Sequence, residues 1–150
     1  MAYTEAERAA IYKVMSERRD MRRFTASSTV PESVLLRVLA AAHSAPSVGL
    51  MQPWRFIRIT DAHRRRDIHA LVDAERRRTG AALGSREAEF LALKVEGVLE
   101  CAELLVVALG DGRERHIFGR RTMPYMDLAS VSCAIQNMWL AARAEGLGMG

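Results

Sequence analysis

The chain has 150 residues, 49% of them hydrophobic and 27% charged, a composition typical of one ordinary globular domain. Its formal net charge of +4 permits a nucleic-acid partner, but the arginine runs at residues 64–66 and 76–78 are interleaved with acidic residues and favour a solvated helix face. No run approaches the roughly 18 apolar residues of a membrane helix and the start is not signal-like, so we expect a cytoplasmic protein with no membrane or nucleic-acid partner.

The first third of the chain is predicted to contain two helices. Apolar residues recur at helical spacing over residues 4–18, which predicts an amphipathic helix leading directly into an arginine-rich segment. Pro31 and Glu32 suit the first turn of a second helix, because proline needs no amide donor there and an acid is favoured by the helix dipole. That helix is expected to end near Pro46. Its predicted buried stripe is Val34, Leu35, Val38, Leu39 and Ala42.

The rest of the chain mixes strands and helices. Residues 54–60 and 104–109 are predicted strands, the second fully buried, and a long polar helical excursion over residues 61–100 lies between them. Residues 125–145 predict a last helix, with Gly146 as its C-terminal cap. The predicted buried stripe of this helix is Leu128, Val131, Ile135, Met138, Trp139 and Ala142. The coarse fold class is α+β.

The two cysteines, Cys101 and Cys133, are far apart in sequence and each has apolar neighbours. Neither has a second ligand at the short spacing of a zinc or redox motif. We therefore expect two buried thiols and no metal site.

Residues 17–22, Glu-Arg-Arg-Asp-Met-Arg, are the most highly charged segment near a predicted helix end. Taken alone, they favour a charged helix terminus, where cations interact well with the exposed carbonyls of the last turn. The other interpretation is an anion site. In that case Asp20, surrounded by arginines that favour its carboxylate form, is placed to move protons.

Residues 45–54 form a second candidate segment, a loop with two prolines and one glycine that delivers the chain into a strand. Loops of this kind often carry ligand contacts. Ser47 could bind a phosphate or cap a turn, and Gln52 could bond a heteroaromatic edge or satisfy the backbone. Neither residue decides the matter alone.

The order of these segments resembles the front half of the FMN-dependent nitroreductases: an arginine-rich segment, a helix, a loop from Ala-Pro-Ser to Gln-Pro-Trp, and a strand. The resemblance covers essentially the whole chain. It implies a single nitroreductase-like domain over residues 1–150, with a central mixed sheet flanked by helices, and an intertwined homodimer with flavin at the subunit interface. The flavin-binding residues that it implies are Arg18, Arg19, Asp20, Met21, Arg22, Ser47, Gly49, Gln52 and Leu93.

Departures from the common nitroreductase pattern narrow the resemblance. Asp20 stands where serine is usual and Leu50 where asparagine is usual, and both are similar to the flavin-destroying 5,6-dimethylbenzimidazole synthases, as are residues 93–97, 124–128 and 136–146. In that group the residue matching Asp20 is catalytic. The resemblance thus implies an oxidoreductase that uses dioxygen to convert reduced FMN, supplied by a flavin reductase, into the lower ligand of vitamin B12.

Two other functions stay open at this point. An NAD(P)H-dependent nitroreductase would keep FMN bound and pass hydride to an acceptor, although Asp20 and Leu50 argue against it. A basic module that binds nucleic acid or carries flavin without catalysis would account for the arginine excess.

The resemblance raises three further expectations. Residues 79–90 resemble a lid that one subunit lays over the partner's flavin, although an exposed connecting helix fits equally well. His43 and His116 match no functional position of the family and are expected to be structural or solvent-facing. The family continues past Gly150 with a Trp-Val-Ser stretch whose serine is implicated in the chemistry, so the chain is expected to be a fragment with doubtful activity by itself.

Overall fold

The computed structural model describes residues 2–110 and 122–150, and its elements confirm the α+β class. In chain order they are α1 (Glu5–Glu17), α2 (Glu32–His43), β1 (Trp54–Arg58), α3 (Ala62–Ala82), α4 (Glu87–Leu91), α5 (Gly97–Glu100), β2 (Leu105–Leu109) and α6 (Met126–Ala144). The chain forms two compact units. Unit one comprises residues 1–20, 31–57 and 106–150, and unit two comprises residues 21–30 and 58–105.

The first helix, α1, has a capping interaction at each end. Thr4 Oγ1 accepts a hydrogen bond from the Glu7 backbone N–H at 3.3 Å, while the Glu7 carboxylate accepts one from the Thr4 N–H at 2.7 Å. This reciprocal capping box satisfies two amides that the helix leaves unpaired. At the other end, the Arg19 guanidinium donates to the carbonyls of Ser16 and Arg18 at 2.6 and 2.8 Å. The helix predicted over residues 4–18 is confirmed.

The core of unit one lies where α2 and α6 pack. Of the predicted α2 stripe, Leu35, Val38 and Ala42 are buried. The buried face of α6 includes Asp127 and Ser130. The predicted stripe was wrong at Leu128, which is 59% exposed, and it left out Asp127 and Ser130 because it counted only apolar residues. The other buried residues of α6 are Val131, Ala134, Met138 and Ala142.

Polar links also join α2 to α6. Arg37 donates two hydrogen bonds to the Glu145 carboxylate, both at 2.7 Å, and Asn137 Nδ2 donates to the Ala41 carbonyl at 3.1 Å. The bidentate bond lowers the pKa of the Glu145 carboxyl and raises that of Arg37. Gly146 follows with φ of 77°, in the left-handed region that favours glycine, which confirms the predicted cap.

The two strands pair with each other. Gly110 N–H bonds to the Pro53 carbonyl at one end and Ile59 N–H to the Leu104 carbonyl at the other, an antiparallel arrangement. The prediction of a fully buried second strand was wrong: Val106 and Leu109 are 38% and 46% exposed. Within the described residues β2 pairs only with β1, which leaves part of its surface uncovered.

Unit two contains the predicted helical excursion, which is one long helix, α3, and the two short helices α4 and α5. Arg65 of α3 donates to the carbonyls of Ile59, Cys101 and Ala102 at 3.1, 2.6 and 3.2 Å. The prediction of two buried thiols was wrong, since Cys101 and Cys133 are both half-buried. Cys101 lies beside the polar Arg65 side chain, and partial burial raises the pKa of its thiol.

In residues 2–110 and 122–150, no helix is long and apolar enough to cross a membrane. The same ranges contain no group of three or more His, Cys, Asp or Glu side chains that could hold a metal ion.

Candidate functional site

The arginine-rich segment of unit one is held against α6. The Arg18 guanidinium lies over the Trp139 ring, with its Cζ 4.6 Å from the ring centroid. Trp139 Nε1 donates a hydrogen bond to the Arg19 carbonyl at 3.3 Å. One turn further along α6, Arg143 forms an ion pair with Glu17 at 2.8 Å. Two side chains of α6 therefore fix the position of the chain as it leaves α1.

Asp20 is exposed at the surface, and its backbone forms an isolated parallel bridge with Met149. The helix itself stops before the arginines, with Arg18 as C-cap donating its backbone N–H to the Val14 carbonyl at 3.1 Å. The segment therefore contains the end of α1, as predicted, and continues beyond it as non-helical chain over residues 18–20. Asp20 directly follows Arg19, whose carbonyl accepts the hydrogen bond from the Trp139 indole N–H.

The two arginines of this segment make different contacts. The Arg18 guanidinium contacts the Trp139 ring, and within the described residues its N–H groups donate no hydrogen bond, so they are available for bidentate bonds to phosphate or carboxylate. Arg19 instead uses Nη1 on carbonyls of the α1 terminus. Arg18 is consequently the stronger candidate of the two for holding an anion.

The Pro-Ser loop, residues 45–52, is also fixed by α6. Ser130, which is 4% exposed, accepts the Val48 N–H at 3.1 Å through Oγ and donates to the Met126 carbonyl at 2.6 Å. Within the loop, Ser47 Oγ accepts the Gln52 N–H at 3.0 Å. The Ser47 hydroxyl proton is not used by that bond and remains able to donate.

This loop has an unusual backbone. Gly49, Leu50 and Gln52 have φ values of 52°, 53° and 45°. For the two residues with a Cβ, the left-handed conformation costs on the order of 1–2 kcal/mol each. Such strain concentrates at ligand sites, where the surrounding structure maintains it. Leu50 is also 85% exposed, an uncommon position for leucine.

The Gln52 end of the loop borders an open depression of about 690 Å³ on unit one. Its lining comes from α2, the loop and β1 and is mainly apolar, with His43 among its polar residues. His43 accepts a hydrogen bond from Trp54 Nε1 at 3.2 Å, which agrees with the predicted structural role. His116 lies outside the described residues.

The predicted flavin ligands fall in both units. Arg18, Arg19, Asp20, Ser47, Gly49 and Gln52 belong to unit one. Met21, Arg22 and Leu93 belong to unit two, where Met21 and Leu93 are 40% and 38% exposed. The proposed lid segment contains the end of α3, a 3-10 turn at Gly84–Arg86 and most of α4, and residues 81–89 are exposed.

Sequence reasoning missed three residues that hold these segments: Ser130, Trp139 and Arg143. A serine inside an apolar helical stripe was a usable signal, because a buried hydroxyl needs hydrogen-bond partners. The tryptophan gave a similar signal through its indole N–H. The partners themselves lie far away in sequence and could not be read from periodicity.

The donor set of unit one fits FMN chemically. The phosphate of FMN requires charged donors, which the N–H edge of Arg18 supplies. The planar ring carries amide-like edges that the exposed Gln52 side chain can pair, since an amide offers both donors and an acceptor.

Comparison with known proteins gives a consistent family. Residues 15–150 match the nitroreductase family. A 5,6-dimethylbenzimidazole synthase of Rhodobacter capsulatus is 36% identical over 152 aligned positions, covering 100% of this chain and 73% of that protein. The enzyme of the same name from Rhodospirillum rubrum is 40% identical over 138 positions, covering 89% of this chain and 64% of that protein, slightly less than two thirds.

Solved structures agree on the fold. Oxidized iodotyrosine deiodinase, bound to FMN and 3-iodo-L-tyrosine, superposes with a TM-score of 0.73 at 24% identity, covering 92% of this chain and 71% of that one. At this identity the likeness establishes the nitroreductase-like fold.

Proposed function

We propose that this chain, which belongs to the nitroreductase family, acts with dioxygen on reduced FMN and converts it to 5,6-dimethylbenzimidazole, the lower ligand of vitamin B12. The observation that carries the proposal is the 36–40% identity to two 5,6-dimethylbenzimidazole synthases, one of them aligned over the entire chain. Reduced FMN is then the substrate and supplies the carbon atoms of the product, while dioxygen is the oxidant.

The residues of unit one take distinct roles in this reaction. The N–H edge of Arg18 binds the phosphate, with each charge-assisted hydrogen bond contributing on the order of 1.5–3 kcal/mol. The strained loop with Ser47, Gly49 and Gln52 lines the ring and orients it. The Asp20 carboxylate accepts and returns protons as the ring is dismantled. Its exposure and its fixed backbone suit that role.

The remaining flavin ligands in the proposal are Arg19 and the residues of unit two. Arg19 binds the polar tail of FMN with the guanidinium nitrogens that do not donate to carbonyls at the end of α1. Arg22 adds positive charge for the phosphate, and Met21 and Leu93 offer exposed apolar surface for the flavin. Residues 79–90 serve as the lid that one subunit lays over the partner's flavin, which excludes bulk water.

We further propose a homodimer with flavin at the subunit interface, working in the cytoplasm with a separate flavin reductase that supplies reduced FMN. Large apolar side chains at the surface support an interface, because burying them against a second subunit would remove apolar area from water. Among the described residues, the most exposed large hydrophobic side chains are Leu50, Tyr125, Leu71, Tyr12 and Tyr3, at 85%, 83%, 72%, 68% and 65%. Sedimentation velocity of the purified protein tests this: a monomer at micromolar concentration would contradict it.

The test of the function is to mix the purified protein with reduced FMN in air. Loss of flavin absorbance together with a benzimidazole product, identified by mass spectrometry, supports the proposal. Reoxidation to intact FMN with no product contradicts it. If NADPH and a nitroaromatic acceptor then support turnover with FMN intact, the chain is an ordinary nitroreductase.

Replacing Asp20 by serine tests the role of the carboxylate. The substitution should leave FMN affinity within about threefold, because the arginines remain, while product formation falls by about 100-fold or more, a typical effect of losing an acid–base group. Asp61→Ser is the matched control, since Asp61 caps α3 with its side chain and serine is an equally good cap. Product formation by the Asp20→Ser variant at the control rate would show that Asp20 has been given the wrong role.

A further inference from the structure

We propose that Trp139 is a positioning residue for flavin destruction, acting on Arg18 with its ring and on the Asp20 segment with its indole N–H. This inference rests on the proposed function for the roles of Arg18 and Asp20. The contacts that carry it all lie within unit one.

The ring face of Trp139 holds Arg18 in one orientation. A free arginine side chain samples many rotamers, and fixing one of them before the ligand arrives removes that cost from binding. At 4.6 Å from the ring centroid, the guanidinium is within cation–π range, and tryptophan is the best aromatic partner for it. A cation–π contact uses no N–H donor, and within the described residues the guanidinium N–H groups of Arg18 make no hydrogen bond, so Arg18 is held and still able to bind phosphate.

The indole N–H holds the backbone next to the proposed catalytic carboxylate. It donates to the carbonyl of Arg19, which forms the peptide bond to Asp20. On the far side, the Asp20 backbone pairs with Met149, and before the arginines Arg143 bonds Glu17. Trp139 is the middle of these three anchors, and it is the one that contacts the segment at both a side chain and a carbonyl.

The same helix also sets where the ring-lining loop lies. Ser130 and Trp139 are on α6, about 14 Å apart along its axis at 1.5 Å per residue. Ser130 fixes the loop at Val48, and Trp139 fixes the segment at Arg19. A rigid helix between the two anchors keeps the spacing between the ring-orienting and phosphate-binding parts of the site constant.

Two substitutions separate the two actions. Trp139→Leu removes the ring, and we expect FMN affinity to fall about three- to thirtyfold, while riboflavin affinity, which involves no phosphate, changes by less than about twofold. Trp139→Phe keeps a ring for Arg18 and removes the N–H. It should retain FMN affinity within about threefold but lower the ratio of benzimidazole product to reoxidised FMN by about two- to tenfold.

Affinities are measured by quenching of flavin fluorescence, and the product ratio by chromatography after one turnover in air. Arg37→Gln is the control. It breaks the bidentate bond between Arg37 and Glu145, which follows the C-terminal end of α6, and it does not alter the contacts of residues 17–20. It should leave both the FMN-to-riboflavin affinity ratio and the product ratio unchanged.

The proposal is overturned if Trp139→Leu weakens FMN and riboflavin by the same factor, or if Trp139→Phe leaves the product ratio at the wild-type value. If the leucine variant does not fold, the phenylalanine variant still decides the question. If the wild-type protein makes no benzimidazole, the proposed function fails, but the comparison of FMN with riboflavin still tests whether Trp139 positions Arg18.

Discussion

Replacing Ser130 by alanine removes the hydrogen bond that joins the Pro-Ser loop to α6. The Met126 carbonyl keeps its helical partner, the backbone N–H of residue 130, so the loss falls on the Val48 N–H. An amide left without a partner costs about 1–3 kcal/mol. Because Val48 is only half-buried and water can partly replace the hydroxyl, we expect about 1–2 kcal/mol of lost unfolding free energy.

At roughly 2–4 °C per kcal/mol for a chain of this length, the melting temperature should fall by about 2–8 °C. The loop that carries Gly49 and Gln52 also loses one of the contacts that maintain its left-handed backbone. We therefore expect FMN and riboflavin to bind more weakly by the same factor, about five- to thirtyfold if the whole loss is felt in binding. Urea unfolding and flavin fluorescence titration measure the two effects.

Ser132→Ala is the matched control for this experiment. Ser132 makes the same type of bond within α6, from Oγ to the Leu128 carbonyl at 3.0 Å, but it is exposed and joins no loop. Its replacement should leave stability within about 0.5 kcal/mol of wild type. Equal stability losses for Ser130→Ala and Ser132→Ala would refute the reasoning, as would an effect on FMN that spares riboflavin.

Two further substitutions test the packing and electrostatics. Arg37 lowers the pKa of the Glu145 carboxyl, so the pair stabilises the fold above the ordinary glutamate pKa, and this stabilisation is lost as the pH falls through the lowered pKa. The difference in unfolding free energy between wild type and Glu145→Gln should therefore vanish in acid. Urea unfolding at a series of pH values measures it. In unit two, a Cβ on Gly97 would lie 2.9 Å from the Phe24 ring, so Gly97→Ala should cost about 1–3 kcal/mol in urea unfolding. Gly80→Ala should cost much less, since its Cβ meets the flexible end of a leucine side chain and alanine is the better helix former; equal costs would contradict the steric argument.

Local sequence signals predicted the elements well because each signal acts over a few residues. Apolar spacing over residues 4–18 predicted α1, and Gly146 predicted the end of α6. The buried face of α6 was predicted less well, because a pattern of hydrophobic residues cannot include the polar residue Ser130. Ser130 is buried and accepts a hydrogen bond from Val48, in a loop far away in sequence. The parallel bridge of Asp20 was also beyond local reasoning, since its partner, Met149, is near the other end of the chain.

The candidate site follows the same division between local and distant information. The residue types that suit phosphate and a flavin ring were evident in the sequence, because arginine and amide chemistry do not depend on the fold. What the fold adds is selection among them: Arg18 contacts the Trp139 ring and keeps its N–H donors available, whereas Arg19 donates to carbonyls at the end of α1. Because of this difference, we expect Arg18→Gln to lower the affinity for FMN more than Arg19→Gln does.

The two anchors on α6 give a way to separate ring recognition from phosphate recognition without altering any ligand-contacting residue. A change at Ser130 acts through the loop and should affect FMN and riboflavin alike, whereas loss of the Trp139 ring acts through Arg18 and should affect FMN alone. Because the anchors touch different segments and lie about 14 Å apart, their effects on FMN affinity should add in the double variant. Strong non-additivity would mean that the loop and the arginine segment respond to each other and that α6 is not a rigid support between them.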